Sequence, residues 1–334
     1  VGQIAGVEAL AALGAVDFLM WVVTGISTGL TQGFSIQLSQ YYGAKDFENL
    51  RKSLAHSYRL TAFIAAGVLI LSQSFASLVL TGLHTPSNII GMSLLYLRII
   101  FCGIPATAAY NMFASALRAM GNSKTPLTAM IIASVLNVSL DILFVAGFGW
   151  GVAGAAIATA SAQSFSAVYC FLILRRIDIV HLTRADFMPA SGMNARLMKL
   201  GIPVVFQNII IGVGGLVVQY VINGYGFLFV AGFTATNKLY GLLEMAAISY
   251  GYAIVTYVGQ NLGAGKIDRI RKGVRSSMLL SLLTSLIISA AMFLFGKNIL
   301  SLFISGEPQQ TQEVLAIAFK YLSIMAAMLW ILYF

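Results

Sequence analysis

The sequence predicts an all-α, polytopic membrane protein, and three observations support this: its composition, its long apolar runs and an internal repeat. Of its 334 residues, 59% are hydrophobic and 9% are charged, whereas a soluble domain has about 25% charged residues. Apolar runs of about 20 residues, the length that a spanning helix needs, recur along the whole chain. The net charge of +9 is concentrated between these runs, which favours membrane topology over nucleic-acid binding.

The connections between the apolar runs mark the ends of the candidate helices. The first run stops at QYYGAKDFENLRKSLAHS, the second at TGLHTPSN, the third before GNSKTP and the fourth at FGWG. Clusters of glycine, proline and polar residues are typical of such connections because they interrupt a helical pattern. Nine candidate helices follow, at 15–42, 58–83, 89–117, 125–147, 150–174, 200–223, 230–262, 277–304 and 314–334.

Basic residues alternate from one connection to the next. Sixteen of the twenty Lys and Arg residues lie in four connections, at 43–59, 118–124, 175–199 and 263–275. Short loops rich in Lys and Arg stay on the cytoplasmic side of a membrane. The sequence therefore predicts that these four loops are cytoplasmic, and that the first residue lies on the opposite side.

The polar stretch at 40–57 occurs a second time in the chain. Residues 260–277 read QNLGAGKIDRIRKGVRSS, and the two stretches share Gln, Gly-Ala, Arg-Lys and Ser at an offset of 220 residues. Both copies are predicted to be cytoplasmic, so each repeat holds an even number of helices. This predicts two parallel six-helix repeats, an arrangement that transporters use around a central cavity.

The repeat also predicts the domain organisation. The N-terminal lobe is expected at 1–175, a cytoplasmic linker at 176–199 and the C-terminal lobe at 200–334. Comparison of the two copies predicts that the first copy lacks its first helix. It also predicts that the second copy lacks its last two or more helices. We therefore expect a fragment of a twelve-helix protein, with about nine to ten helices present.

Five phrases, in order along the chain, resemble the multidrug and toxic compound extrusion (MATE) family: ALAALG, QYYGAKD, RAMGNSKTP, LNVSLDILFVAGFGWGVAGAAIATASAQ and VGQNLGAGKIDRIRKG. The resemblance implies a bacterial cytoplasmic (inner) membrane transporter with twelve helices in two bundles. It also implies antiport by alternating access, in which amphipathic, often cationic compounds are exported in exchange for H⁺ or Na⁺. Apart from that coupling ion, no cofactor is implied.

The resemblance is to the DinF-like bacterial branch of the family. The other large bacterial branch has an acid in its seventh helix, which here reads GIPVVFQNIIIGVGGLVVQYVING and has none. Gln207 and Asn208 are the main polar residues of that helix. The DinF-like branch uses an aspartate in the first family helix, a segment that would precede Val1.

Polar residues on the fourth and fifth candidate helices predict an ion site. Asn137 and Asp141 are four residues apart, with Ser134 one turn earlier. On the next helix, Thr159 and Gln163 have the same spacing, so each pair shares a helix face. Their oxygens suit a hard cation or a proton relay. The resemblance implies that Asn137, Asp141 and Thr159 form the ion-coupling site; the alternative is that Asp141 only caps a helix end.

Glu244 is a second intramembrane acid. It lies near the centre of the seventh candidate helix, and its counterpart in the first repeat is Thr24. A charged acid at mid-bilayer costs about 3 kcal/mol, which makes it a candidate second proton or cation site. The alternative is a structural partner for Lys238, although six residues is a poor spacing on a helix.

Further polar residues are candidates for lining a cavity that binds an amphipathic small molecule. They are Thr24, Ser27, Thr31, Thr107, Asn111, Ser115, Ser134, Gln163, Gln207 and Asn208. The alternative for each stripe is helix packing, because small polar residues favour close approach of helices in membranes. The expected partners are this small molecule and the lipid bilayer, without nucleic acid, and the protein is expected to be monomeric.

Two other functions remain open from the residues alone. A flippase for lipid-linked saccharides or peptidoglycan precursors would need several cationic residues in its cavity, but the predicted spans contain few Lys or Arg residues. An intramembrane transferase would need clustered Asp, or a His at useful spacing, which the sequence lacks. The two cysteines, Cys102 and Cys170, form no CxxC or Cys/His cluster, so no metal site is expected beyond a transported Na⁺.

Overall fold

The computed structural model describes residues 12–13, 16–82, 89–225, 227–301 and 308–333. Within these ranges the regular structure is entirely helical, which confirms the predicted fold class. The described part forms ten α-helices: α1 Asp17–Gly43, α2 Phe47–Gly82, α3 Ile90–Cys102, α4 Ile104–Ala119, α5 Lys124–Asp141, α6 Gly151–Leu174, α7 Met193–Asn223, α8 Phe227–Gly263, α9 Ile267–Ser301 and α10 Pro308–Tyr333.

Most of these helices have the length and composition of membrane spans. Seven qualify within the described ranges, and eight do if the bent pair α3–α4 counts as one span. Helix α1 is not among them because it contains many polar residues, and several of these are buried, including Ser27, Thr31, Ser35 and Gln37. The chain is therefore a multi-pass membrane protein in which α1 presents polar groups to its own protein neighbours.

The segment predicted as one helix at 89–117 is divided in the structure. Helices α3 and α4 meet at Gly103 with a bend of 44°. Pro105, in the first turn of α4, has no N–H to continue the hydrogen-bond ladder of α3. Gly103 lies against α6, where an added Cβ would be 3.2 Å from the Cβ of Ala160. The bend therefore follows from a proline and from a close helix contact.

Three helices begin well before their apolar runs. They are α2, α7 and α9, which begin at residues 47, 193 and 267 rather than 58, 200 and 277. Local polar contacts hold the extra turns of α2: Asn49 N–H donates to Asp46 (3.1 Å), and Lys52 pairs with Glu48 (2.6 Å). An apolar run marks only the part of a helix inside the membrane. Residues 193–199, predicted as linker, are consequently helical.

The segment between α6 and α7 is attached to α2. It contains two short 3₁₀ turns, and Asp186 in the second of them lies 3.7 Å from Arg51 of α2. His56, which is buried in α2, contacts Asn194 Oδ1 at 2.7 Å and the carbonyl of Met188 at 3.1 Å. These contacts fix the linker on the basic end of α2.

The chain divides into two compact units, Val1–Gly212 (unit 1) and Val213–Phe334 (unit 2). The lobe boundaries predicted from the repeat stay a prediction. The largest fully buried side chains of unit 1 are Phe34, Leu38, Leu50, Leu54, Leu80, Leu97, Phe101, Met112, Leu117, Leu174 and Leu197. In unit 2, helices α8, α9 and α10 pack around Leu239, Met292, Leu300, Leu322 and Ala326.

Inside unit 1, α1 and the first half of α7 approach closely along a seam. The seam consists of Gly25, Gly29 and Gly33 of α1 and Gly201, Val205 and Asn208 of α7. A Cβ at Gly33 would overlap the backbone of Gly201, and one at Gly29 would lie 2.9 Å from the Cα of Val205. Small residues permit such close backbone approach in membranes.

Candidate functional site

Two contacts fix how α5 and α6 face each other. Asn137 Nδ2 donates to Thr159 Oγ at 3.4 Å, and Ser166 Oγ donates to the carbonyl of Ala129 at 3.5 Å. Both contacts define the same antiparallel register. In that register, Asp141 lies one turn to one side of the Asn137–Thr159 contact, and Gln163 lies one turn to the other.

Acceptor oxygens without donors flank the Asn137–Thr159 contact. Asp141 Oδ1 and Gln163 Oε1 are buried, and neither has a hydrogen-bond partner in the described part of the chain. Thr159 donates its own proton to the carbonyl of Ala155 (3.0 Å), so its oxygen faces Asn137 as an acceptor. A buried acceptor without a donor is costly and uncommon. This arrangement can bind a proton or a small cation.

A π-helical turn, Ile142–Gly147, begins immediately after Asp141. Its wide hydrogen bonding includes Phe148 N–H to the carbonyl of Leu143 at 2.9 Å. The turn packs closely on α6, where a Cβ at Gly154 would lie 3.0 Å from the Cβ of Phe144. Asp141 makes no capping hydrogen bond with its side chain. Such π turns are frequent at functional sites, and this one leaves the Asp141 carboxylate free for another role.

Most of the other cavity-lining candidates satisfy their hydroxyl groups locally. Thr24, Thr31, Thr107 and Ser134 each donate to a carbonyl four residues earlier, and Ser115 accepts from Arg118. Such intrahelical bonds satisfy a hydroxyl in a membrane without a ligand. These contacts therefore agree with the packing alternative as well as with the cavity-lining one.

Other candidates connect helices within unit 1. Asn111 of α4 donates to Thr28 of α1 at 3.1 Å, and Asn208 of α7 donates to the carbonyl of Gly25 at 3.1 Å. Sequence reasoning missed Thr28, although its position one turn after Thr24 could have indicated it. Ser27 and Gln207 differ from these.

Ser27 is buried in α1, and its hydroxyl has no hydrogen-bond partner within the described ranges. Gln207 is exposed on α7. The two candidates on α7 therefore have different surroundings. Asn208 lies in the seam with α1, whereas Gln207 faces away from the interior of unit 1.

Glu244 lies beside tyrosine residues in unit 2. It is half-buried, and its carboxylate has no hydrogen bond or ion pair with any described side chain. Tyr240 lies one turn earlier on α8, and the Tyr333 hydroxyl of α10 contacts the backbone of the neighbouring Leu243. A carboxylate beside aromatic rings suits a cation, because the ring faces and the carboxylate both attract positive charge. The side chain of Lys238, the alternative partner, lies outside the described residues.

Tyrosine hydroxyls also tie the helices of unit 2 together. Tyr333 of α10 donates to the carbonyl of Leu243 at 3.0 Å, and Tyr250 and Thr284 share a hydrogen bond of 2.8 Å. The rings of Tyr250 and Tyr333 lie 6.2 Å apart between centroids. These contacts hold the part of α8 that carries Glu244 against α9 and α10.

Comparison with known proteins decides the family. A protein-family model described as MatE matches residues 1–143 and 203–334. The chain belongs to the MATE family. Among curated proteins, it is 30% identical over 334 residues to the probable multidrug resistance protein YpnP of Bacillus subtilis (strain 168), and it covers 72% of that relative. It is 27% identical over 332 residues to YoeA of the same organism, also named as a probable multidrug resistance protein, and covers 71% of it.

Solved structures confirm the fold of this MATE-family chain. A crystal structure of the Vibrio cholerae MATE transporter VcmN, in a mutant form, matches with a TM-score of 0.91 and 23% identity, over 98% of this chain and 74% of that one. A MOP superfamily transporter from Pyrococcus furiosus matches with a TM-score of 0.89 and 20% identity, over 97% and 72%. The relatives are transporters rather than enzymes, so the transferase alternative has no support.

Proposed function

We propose that the protein is a multidrug efflux antiporter of the bacterial cytoplasmic membrane, which exports amphipathic, often cationic compounds in exchange for H⁺ or Na⁺. The names of the relatives as multidrug resistance proteins support drug export. The observation that supports ion coupling is the buried Asp141 Oδ1, without a donor, beside the Asn137–Thr159 contact. In this proposal the four basic loops are cytoplasmic and the protein acts as a monomer.

The chemistry of the Asp141 site fits either coupling ion. A sodium ion would be bound by oxygens of Asp141, Asn137 and Thr159, which are the hard ligands that such a cation prefers. A proton would instead bind the Asp141 carboxylate and remove its charge from the membrane interior. Binding of either ion removes the free-energy cost of a buried, unpaired carboxylate, so either ion can stabilise one conformation over another.

The ion gradients supply enough free energy for export. One pH unit is worth about 1.4 kcal/mol per proton, and one charge crossing 100 mV adds about 2.3 kcal/mol. One ion can therefore support a drug gradient of roughly tenfold to several hundredfold. Coupling requires that the ion and the drug favour different conformations of the protein.

The flippase alternative is disfavoured by where the basic residues lie. Arg98 of α3 and Lys320 of α10 fall within apolar segments, and both are exposed on the surface of their units. A cavity for a lipid-linked pyrophosphate would need cations directed inward. Asp141 of α5 and Glu244 of α8 are instead both half-buried acids, which favours a cationic cargo.

Efflux measured under separate gradients tests the proposed function. The intact protein, reconstituted in liposomes, is expected to drive ethidium transport when a proton gradient or a sodium gradient is imposed, because one of these ions occupies the Asp141 site. Collapse of the effective gradient with an ionophore should stop transport. Ethidium movement that ignores both collapse of the proton gradient and removal of sodium would contradict the proposal, and protein-free liposomes provide the background rate.

Glu244→Gln is expected to weaken binding of cationic drugs about tenfold, since removal of a partly buried countercharge costs on the order of 1–2 kcal/mol. Binding of an uncharged amphipathic drug should change little. Fluorescence titration of the intact protein with one cationic and one uncharged ligand measures the difference. Glu48→Gln, which removes an exposed acid at the basic end of α2, is the matched control, and equal effects of both variants would refute the role of Glu244.

A further inference from the structure

A groove of about 340 Å³ lies on the surface of unit 1, between α2, α4 and α6. Helices α2 and α6 both pack on α4, and small side chains leave the space between them open. Ala62, Ala65 and Ala66 of α2 and Ala109 of α4 line it. The volume falls within the range of about 300–1,000 Å³ of ligand pockets.

A second groove of about 320 Å³ lies beside the first, between α4 and α6. Phe113 and Phe171 line both grooves, with their ring centroids 5.2 Å apart. These two rings therefore form a ridge between two apolar channels of similar size. Ser164 and Val168 line the far side of the second groove. A ligand that fills both channels must have two apolar arms.

The grooves lie in the half of the membrane next to the basic loops. Pro105, at the bend between α3 and α4, lines the inner end of the first groove, and Tyr58 and Phe171 line its other end. Tyr58 precedes Arg59, and α6 ends at Leu174, directly before Arg175. The grooves thus run from the membrane interior to the basic surface, and calling that surface cytoplasmic rests on the function proposed above.

One cation of the basic surface lies beside the ridge, and a second directly follows Tyr58, which lines the first groove. The guanidinium carbon of Arg175 lies 5.7 Å from the ring centroid of Phe171. Arg59 donates to the carbonyl of Phe187 (2.9 Å), and both arginines are exposed. In the described ranges neither arginine has an acidic partner. An anion beside Phe171 would gain a charge-assisted contact with Arg175.

Thr61 of α2 also lines the first groove. Thr61 is 8% exposed, and its hydroxyl has no hydrogen-bond partner among the described residues. The hydroxyls of Thr24 and Thr107, by contrast, each donate to a carbonyl of their own helix. Thr61 follows Tyr58 by three residues and so lies deeper in the apolar groove. A hydroxyl donor without an acceptor is costly there.

The geometry points to a site for an anionic diacyl phospholipid of the adjacent leaflet. Its two acyl chains occupy the two grooves on either side of the Phe113–Phe171 ridge. Its phosphate lies between Arg59 and Arg175, and one of its ester carbonyls accepts a hydrogen bond from the Thr61 hydroxyl. A cationic drug fits this site poorly because the two arginines repel it, so the site differs from the cation sites proposed at Asp141 and Glu244.

Lipid retention by the intact protein tests this site without requiring transport. Native mass spectrometry after delipidation should show phosphatidylglycerol retained over phosphatidylcholine. Arg175→Gln should reduce that preference about fivefold, because a basic residue near an anionic surface contributes about 1 kcal/mol. Lysophosphatidylglycerol, which has one chain, should bind about tenfold more weakly or worse than the diacyl lipid. Lys124→Gln, at the basic end of α5, is the matched charge control.

Filling the groove provides a second, independent measurement. Ala66→Phe should abolish retention of phosphatidylglycerol, whereas Leu78→Phe, an exposed position on the same helix, should not. Thr61→Val, which keeps the shape and removes the donor, should weaken binding of both lipids several-fold. Equal retention of phosphatidylcholine, equal effects of Ala66→Phe and Leu78→Phe, or displacement of the lipid by a cationic drug would overturn the assignment. Failure of ion-driven transport alone would not contradict the lipid site.

Discussion

Asp141→Asn is expected to reduce ion-driven efflux by the intact protein strongly while the protein remains folded. Asparagine keeps the size of the side chain and an acceptor oxygen but can neither bind a proton nor supply a negative charge. Loss of a contact to a charged group costs about 1.5–3 kcal/mol, so coupled transport should fall about ten- to a hundredfold. Ethidium transport by reconstituted protein, under the gradient that drives the unchanged protein, measures this loss.

Two further variants separate coupling from folding. Asp178→Asn changes an aspartate that is fully exposed in the linker, and it should transport normally. Asp141→Glu keeps the charge one methylene further from α5 and should retain part of the activity. Ethidium should still bind Asp141→Asn in detergent, but more weakly, because a neutral side chain favours the ion-loaded conformation and the drug favours the other. Normal ion-driven efflux by Asp141→Asn would refute the ion site.

Much of the fold could be predicted because the membrane imposes a simple rule on sequence. Apolar runs of spanning length identify the helices, and the charge pattern orders their connections. Hydropathy alone does not show the bend at Gly103, because the residues on both sides of it are apolar; the sequence signal for it is Pro105, which lacks a backbone N–H. Hydropathy does not show the early start of α2 at Phe47 either, since helical turns outside the membrane carry polar residues. Hydropathy indicates which part of a helix lies in the membrane, and it does not indicate where the helix begins or bends.

The candidate site was partly visible from spacing alone. Four-residue spacing placed Asn137 beside Asp141 on one face, and the structure joins that face to Thr159. The π turn after Asp141 could not be foreseen because Ile142–Gly147 is an ordinary apolar sequence, and its close contact with Gly154 of α6 appears only in the structure. Gln163 lies one turn from the Asn137–Thr159 contact, on the side opposite Asp141. This position could not be predicted because it depends on the register between α5 and α6.

The seam between α1 and α7 depends on the absence of side chains. Gly33→Ala is expected to destabilise it strongly, because the three atoms nearest to the added methyl group are all backbone atoms: two of Gly201 and, at 2.6 Å, the carbonyl oxygen of Leu200. Backbone cannot rotate away as a side chain can, so the helices must separate, and overpacking of this kind costs about 1–3 kcal/mol or more. The melting temperature of the purified intact protein should fall, and Gly67→Ala, with open space around it on α2, should leave it unchanged or raised.

A disulfide reports directly whether the seam has opened. A Cβ at Gly25 would lie 3.6 Å from the Cβ of Asn208, inside the range of about 3.5–4.5 Å that a disulfide needs. With Cys102 and Cys170 replaced by alanine, the pair Gly25→Cys and Asn208→Cys should crosslink readily on oxidation. Adding Gly33→Ala should reduce the yield severalfold, because the helices must separate by about 1 Å or more to clear the backbone of Gly201, which takes the two Cβ atoms beyond that range. Adding Gly67→Ala should not, and an unchanged yield with Gly33→Ala would show that the helices accommodate the methyl group without parting.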